Sequence, residues 1–61
     1  MIYIKVKNEF GNSYLVCKNV SQLNATMRKK YFNYQGKTIN DALKLLNGER
    51  ISTSEYHKVV L

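Results

Sequence analysis

Cys17 and His57 are the two side chains best suited to act as nucleophile and base at neutral pH, and the chain carries one of each type. A Cys–His pair works only when the two meet in the fold and a third group orients the imidazole. Glu55, two residues before His57, is the one carboxylate placed to do so, and strand parity alone allows the thiol and imidazole to face the same core. No residue assignable as an oxyanion donor or substrate clamp accompanies them. Cys17 also falls at an inward strand position, where a thiol behaves as a small hydrophobe. Glu9, Asp41 and Glu49 are scattered singly, so paired-carboxylate chemistry has no support. One cysteine and one histidine do not complete a tetrahedral zinc site. Gly11, Gly36 and Gly48 stand too far apart to form a phosphate-cradling loop. The expectation is a non-enzymatic protein with no metal and no cofactor. Its lone thiol suits a reducing cytoplasm.

The second chemistry available is electrostatic. Ten basic residues against four acidic ones give a formal net charge of +6 in 61 residues. Between Glu9 and Asp41 there is no acidic residue, yet this stretch holds Lys18, Arg28, Lys29, Lys30 and Lys37. The last four are interleaved with Tyr31, Phe32 and Tyr34. A positive field without local counter-charges attracts polyanions, and aromatic rings beside it stack on bases or anchor a protein interface. No apolar run approaches the roughly 20 residues that span a bilayer, and no signal-peptide pattern is present, so no membrane partner is expected.

The elements that must position these residues follow from periodicity. Ile2, Ile4 and Val6 alternate with Tyr3, Lys5 and Lys7, the signature of a strand with one buried face. After Glu9-Phe10-Gly11-Asn12 the alternation resumes with Leu15 and Cys17 on the apolar side. The pattern predicts a hairpin with a four-residue loop, Val6 facing Leu15 and Ile4 facing Cys17. The outer side then pairs Lys7 with Tyr14, Lys5 with Val16 and Tyr3 with Lys18.

Ser21 is a good N-cap, and Val20, Leu23, Met27, Tyr31 and Tyr34 form one apolar stripe, which predicts a helix from about Gln22 to Phe32. Thr38 opens a second helix, with Asp41 completing a capping box. Ile39, Ala42, Leu43 and Leu46 are its buried stripe, and Gly48 its left-handed cap. The tail supports two readings. Its β-formers favour a third strand over Glu55 to Leu61, with His57, Val59 and Leu61 inward, whereas Ser52 with Glu55 is a capping pair that would start a helix. The strand is preferred, because a hairpin alone is marginal. The fold class is therefore α+β: one small domain over residues 1–61 in the order ββααβ, its antiparallel sheet packed against two helices.

Three surfaces then compete for function. One is the segment from Arg28 to Lys37, where Phe32 falls off the buried stripe beside three cations. Those cations also suit the helix macrodipole, and Tyr31 and Tyr34 continue the core stripe. Another is the outer face of the hairpin, with Tyr3, Lys5, Lys7, Tyr14, Val16 and Lys18, joined by Tyr56 and Lys58 if the tail pairs. Lys and Tyr are, however, common on any exposed sheet face. The third is a helix-turn-helix outline running from the second helix into the tail. Glu49 and Glu55 weaken it, since they would lie close to the phosphates. The reading is a small basic nucleic-acid-binding or regulatory module, its partner DNA or RNA. Lys5, Lys7, Lys18, Arg28, Lys29, Lys30 and Lys37 would contact phosphates, with Tyr14, Tyr3 or Phe32 against bases or sugars. The alternative is a protein-interaction factor, an inhibitor or adaptor docking on an acidic protein surface. Homo-oligomerisation through an unpaired sheet edge suits either.

Overall fold

The computed structural model of the protein describes residues 1–60, and the expectation that Leu61 points inward falls outside them. Strands β1 (Ile2–Asn8) and β2 (Gly11–Cys17) form the expected hairpin, but in a register slipped by two residues. Ile4 lies opposite Leu15, Ile2 opposite Cys17, Tyr3 opposite Val16, Lys5 opposite Tyr14 and Lys7 opposite Asn12. The cause is a tighter loop. Asn8 Oδ1 accepts the Phe10 amide at 3.0 Å, its Nδ2 donates to Ser13 Oγ at 2.8 Å, and Gly11 takes φ 127°, a conformation that disfavours a side chain. Only Glu9 and Phe10 remain in the turn. Because the slip is even, every side chain keeps its expected face.

Helix α1 (Val20–Lys30) is capped by Asn19 rather than Ser21. Asn19 Oδ1 accepts the Gln22 amide at 2.9 Å, and the Gln22 side chain in turn accepts the Lys18 amide. The helix stops at Tyr31, whose extended backbone still donates to Met27 O at 2.8 Å. A turn follows, closed by the Tyr34 amide on Tyr31 O at 3.0 Å, with Phe32 and Asn33 at its tip.

Helix α2 (Ile39–Leu46) begins with the expected capping box between Thr38 and Asp41. Its left-handed cap is Asn47, at φ 53° and ψ 43°, not Gly48. Gly48 instead opens a third strand, β3 (Gly48–Ile51), antiparallel to β1 with Val6 opposite Gly48 and Tyr3 opposite Ile51. A Cβ on Gly48 would stand 3.0 Å from Ile4 Cγ2 and 3.2 Å from the Lys5 carbonyl oxygen, so a close approach to β1 is what requires glycine here. The sheet order is β2-β1-β3.

The tail is helix α3 (Thr53–Val60), started by Ser52 Oγ accepting the Glu55 amide at 3.1 Å. The α+β class and antiparallel three-stranded sheet are as expected, and the order runs ββααβα. The tail strand is the element corrected. With Gly48–Ile51 already paired to the free side of β1, the preference of Val59 and Val60 for a pleat is overridden by the capping pair before them.

Between the sheet and α1 and α2 lies the core: Ile2, Ile4, Cys17, Leu23, Met27, Ala42 and Leu46, with Val6, Leu15, Val20, Tyr31, Tyr34, Ile39 and Leu43 packed around it. The opposite face is also covered, since α3 lays Tyr56 against Tyr3, ring centroids 4.5 Å apart, and Tyr3 and Ile51 are buried. The helices thus occupy both faces of the sheet rather than one. Among the described residues no helix is long and apolar enough to cross a membrane.

Candidate nucleic-acid interface

The outer face of the hairpin is not the open platform that its residue types suggest. Tyr3 is 7% exposed, and the Tyr14 ring stands edge-on to Tyr56 at 5.9 Å between centroids. The lysines there are divided. Lys5 is half-buried on the central strand with Tyr14 on one side and Glu49 on the other, so a carboxylate shares its surroundings. Lys7 is exposed at the hairpin end, opposite Asn12. Lys18 follows β2 at the other end of the sheet, about 20 Å along the strand from Asn12.

Helix α1 runs back from Lys18 toward the hairpin. Its last turn therefore delivers Lys30 to a hollow of about 310 Å³ lined by Val6, Asn8, Ser13, Tyr14, Leu15 and Leu46. Arg28, Lys29 and Lys30 are all exposed there, and their charge complements the partial negative charge of the helix C-terminus. Phe32 follows in the turn and is 96% exposed. A phenyl ring that exposed has no packing role, and it lies two residues beyond the three cations in sequence.

From that turn the chain returns along α1, with Asn24 Nδ2 donating to Lys37 O at 3.4 Å. Between this return segment and α2 lies a groove of about 670 Å³ lined by Asn33, Tyr34, Gln35, Gly36, Lys37, Asp41, Lys44 and the half-exposed Leu45. Lys44 and Leu45 are the residues that sequence reasoning passed over. Their signal was weak: both fall outside the buried stripe of α2, where any side chain is acceptable. Tyr34 packs its hydroxyl against Gly36, leaving no room for a side chain there. The hydroxyl is buried without a hydrogen-bond partner, and loss of solvation, then the Asp41 charge, raise its pKa, with Arg28 acting the other way.

Asp41 is the counter-charge in this groove. Its Oδ2 accepts the amides of Lys37 at 2.9 Å and Thr38 at 3.0 Å and the Thr38 hydroxyl at 3.0 Å. The two backbone amides, then that hydroxyl, hold its pKa below the ordinary carboxylate range. An anion therefore sits between Lys37 and Lys44 at neutral pH. Lys37 also lines a second hollow with Val20, Thr38, Ile39, Asn40, Leu43 and Arg50. The cations thus do not form a single sheet of charge. Those at the end of α1 are grouped beside an exposed aromatic ring, Lys37 and Lys44 flank a carboxylate, Lys5 faces Glu49, and Lys18 stands apart.

The other constellations do not assemble. Cys17 lies on the inner face, buried, where loss of solvation pushes its thiol pKa up and a hydrogen bond with Thr26 offsets part of that rise. His57 is on α3 at the opposite face, its ring 6.4 Å from that of Tyr3. The sheet stands between thiol and imidazole. The helix-turn-helix outline fails for a related reason: β3 separates α2 from α3, and the two pack on opposite faces. No family model, curated protein or solved structure matches the chain.

Proposed function

We propose that the chain is a small non-enzymatic nucleic-acid-binding or regulatory module whose contact surface is the end of α1 and the turn beyond it. The observation that carries this reading is Phe32, 96% exposed and one residue past the cap that follows the cations of the last helical turn. In this role Arg28, Lys29 and Lys30 neutralise phosphates while the phenyl face stacks on an unpaired base, an arrangement that favours single strands over duplex. Lys7, at the same hairpin end of the sheet, extends the phosphate track, and Lys37 and Lys44 contribute less because Asp41 lies between them.

Fluorescence anisotropy with labelled single-stranded DNA and RNA and a duplex control, at two salt concentrations, tests the reading. The expected result is binding that weakens steeply as salt rises, by about one counterion per phosphate contact. Phe32→Ala should cost about tenfold, in line with roughly 1–3 kcal/mol per stacked base. Absence of binding at low salt ends the proposal. A second reading has its own observation: Leu45 is 48% exposed in a groove whose lining starts at Asn33, the residue after Phe32, which suits apolar anchors for an acidic protein partner. A pull-down from nuclease-treated lysate separates the two, since a protein partner survives the nuclease and a nucleic acid does not.

A further inference from the structure

The two edges of the sheet are built differently. β3 is four residues long and carries Glu49 and Arg50, the charged and short construction that discourages pairing with another chain. β2 has neither protection. Over seven residues, Gly-Asn-Ser-Tyr-Leu-Val-Cys, it holds no charge and no proline, and all seven pair with β1 without a bulge. Tyr14, Leu15 and Val16 at its centre are only half-buried.

We infer that β2 is the self-association edge of this protein, pairing antiparallel with β2 of a second copy so that two three-stranded sheets become one. The register follows from the hairpin. Residues flanking a two-residue turn form a hydrogen-bonded pair, here Asn8 with Gly11, so by alternation Ser13, Leu15 and Cys17 bond to β1. Asn12, Tyr14 and Val16 turn their N–H and C=O groups to the open edge. A two-fold axis through Tyr14 places Asn12 of each copy opposite Val16 of the other and satisfies those groups with about six hydrogen bonds. It also keeps inner face beside inner face, which joins the two cores.

Charge supplies the argument for a second copy as occupant. The nearest charges flanking β2 in sequence are Glu9 before it and Lys18 after it. Antiparallel pairing brings Lys18 of one copy beside the Glu9-Phe10 turn of the other at both ends, and covers Phe10, which is 98% exposed. The lysines of β1 stay one strand away. Beyond the edge the two copies, each at +6, repel, so the association should tighten as salt rises, opposite to the dependence expected for nucleic acid.

Sedimentation equilibrium of the chain alone, over a concentration series at low and high salt, reads the dimer. Chemical synthesis with Tyr14 N-methylated removes the central edge bonds and keeps every side chain, and should weaken dimerisation roughly tenfold or more. In the unmodified chain, amide exchange at Asn12, Tyr14 and Val16 should slow with rising concentration while exchange in β3 does not. A monomeric mass throughout, a dimer indifferent to N-methylation in a chain that still folds, or a dimer without added protection at those three amides overturns the inference.

Discussion

Asp41 shows how much one side chain fixes in a protein of this size. Its carboxylate collects two amides and a hydroxyl, closing the first turn of α2 and anchoring the return segment through Lys37. Because those bonds favour the charged form, the stability they supply is fully present above the ordinary aspartate pKa of about 3.9 and is lost as pH falls through the lower folded value. Urea titrations at a series of acidic pH values should show this acid limb in the parent and a flatter one in Asp41→Asn. Thr38→Ala, which removes the reciprocal cap, should cost about 1 kcal/mol by the same measurement. Gly48 makes the opposite demand, for absence of a side chain. Gly48→Ala would bring a methyl against Ile4 and the Lys5 carbonyl and should destabilise by about 1–3 kcal/mol. At Cys17 burial and a raised thiol pKa predict very slow alkylation in the native state, rising to that of a free thiol once urea unfolds the chain.

The elements differ in how firmly they are held, and in how far the sequence announces them. Two of the fully buried side chains, Leu23 and Met27, belong to α1, whereas no residue of α3 is buried and its attachment rests on the Tyr56 ring over Tyr3. Tyr56→Ala should therefore release α3. Amide exchange would approach open-chain rates over 53–60 while the central strand keeps its protection, because local opening follows local contact. The hairpin, α1 and the capping box of α2 were legible because each has a periodic apolar face or a paired cap in the sequence. β3 was not. Gly-Glu-Arg-Ile shows no alternation to speak of, and its strand character comes from the open side of β1, a partner far away in the chain. The same competition misled the reading of the tail, where Val59 and Val60 argued for a pleat but found β1 already occupied. At the hairpin, faces were readable and register was not, since the side-chain bonds of Asn8 decide the loop length. Phe32 as an exposed residue could be read, because it falls off the apolar stripe that runs through Met27, Tyr31 and Tyr34, although it lies in the turn past α1 and not in the helix expected to reach it. Lys44 and Leu45 could not, because the groove they line exists only once α2 packs beside the return segment.

At the scale of the molecule, charge and topology pull in different directions. The stretch from Phe10 to Asn40 carries its cations without a carboxylate, but folding brings Asp41 between Lys37 and Lys44 and sets Glu49 beside Lys5. What survives as a concentrated positive field is the end of α1. Replacing Arg28, Lys29 and Lys30 together by Gln should therefore flatten the salt dependence of nucleic-acid binding more than replacing Lys5, Lys18 and Lys37, as anisotropy titrations would report. The sheet order has a consequence for synthesis. β1, which leaves the ribosome before its neighbours, ends up in the middle, with β2 on one flank and β3 on the other. Its second flank must wait for Gly48–Ile51 to emerge, so the nascent chain passes through a stage in which Ile2, Tyr3 and Ile4 lie along an unzipped border. Crowded translation of this protein should therefore favour promiscuous strand exchange between neighbouring nascent chains, a hazard that ends when the last strand closes the seam.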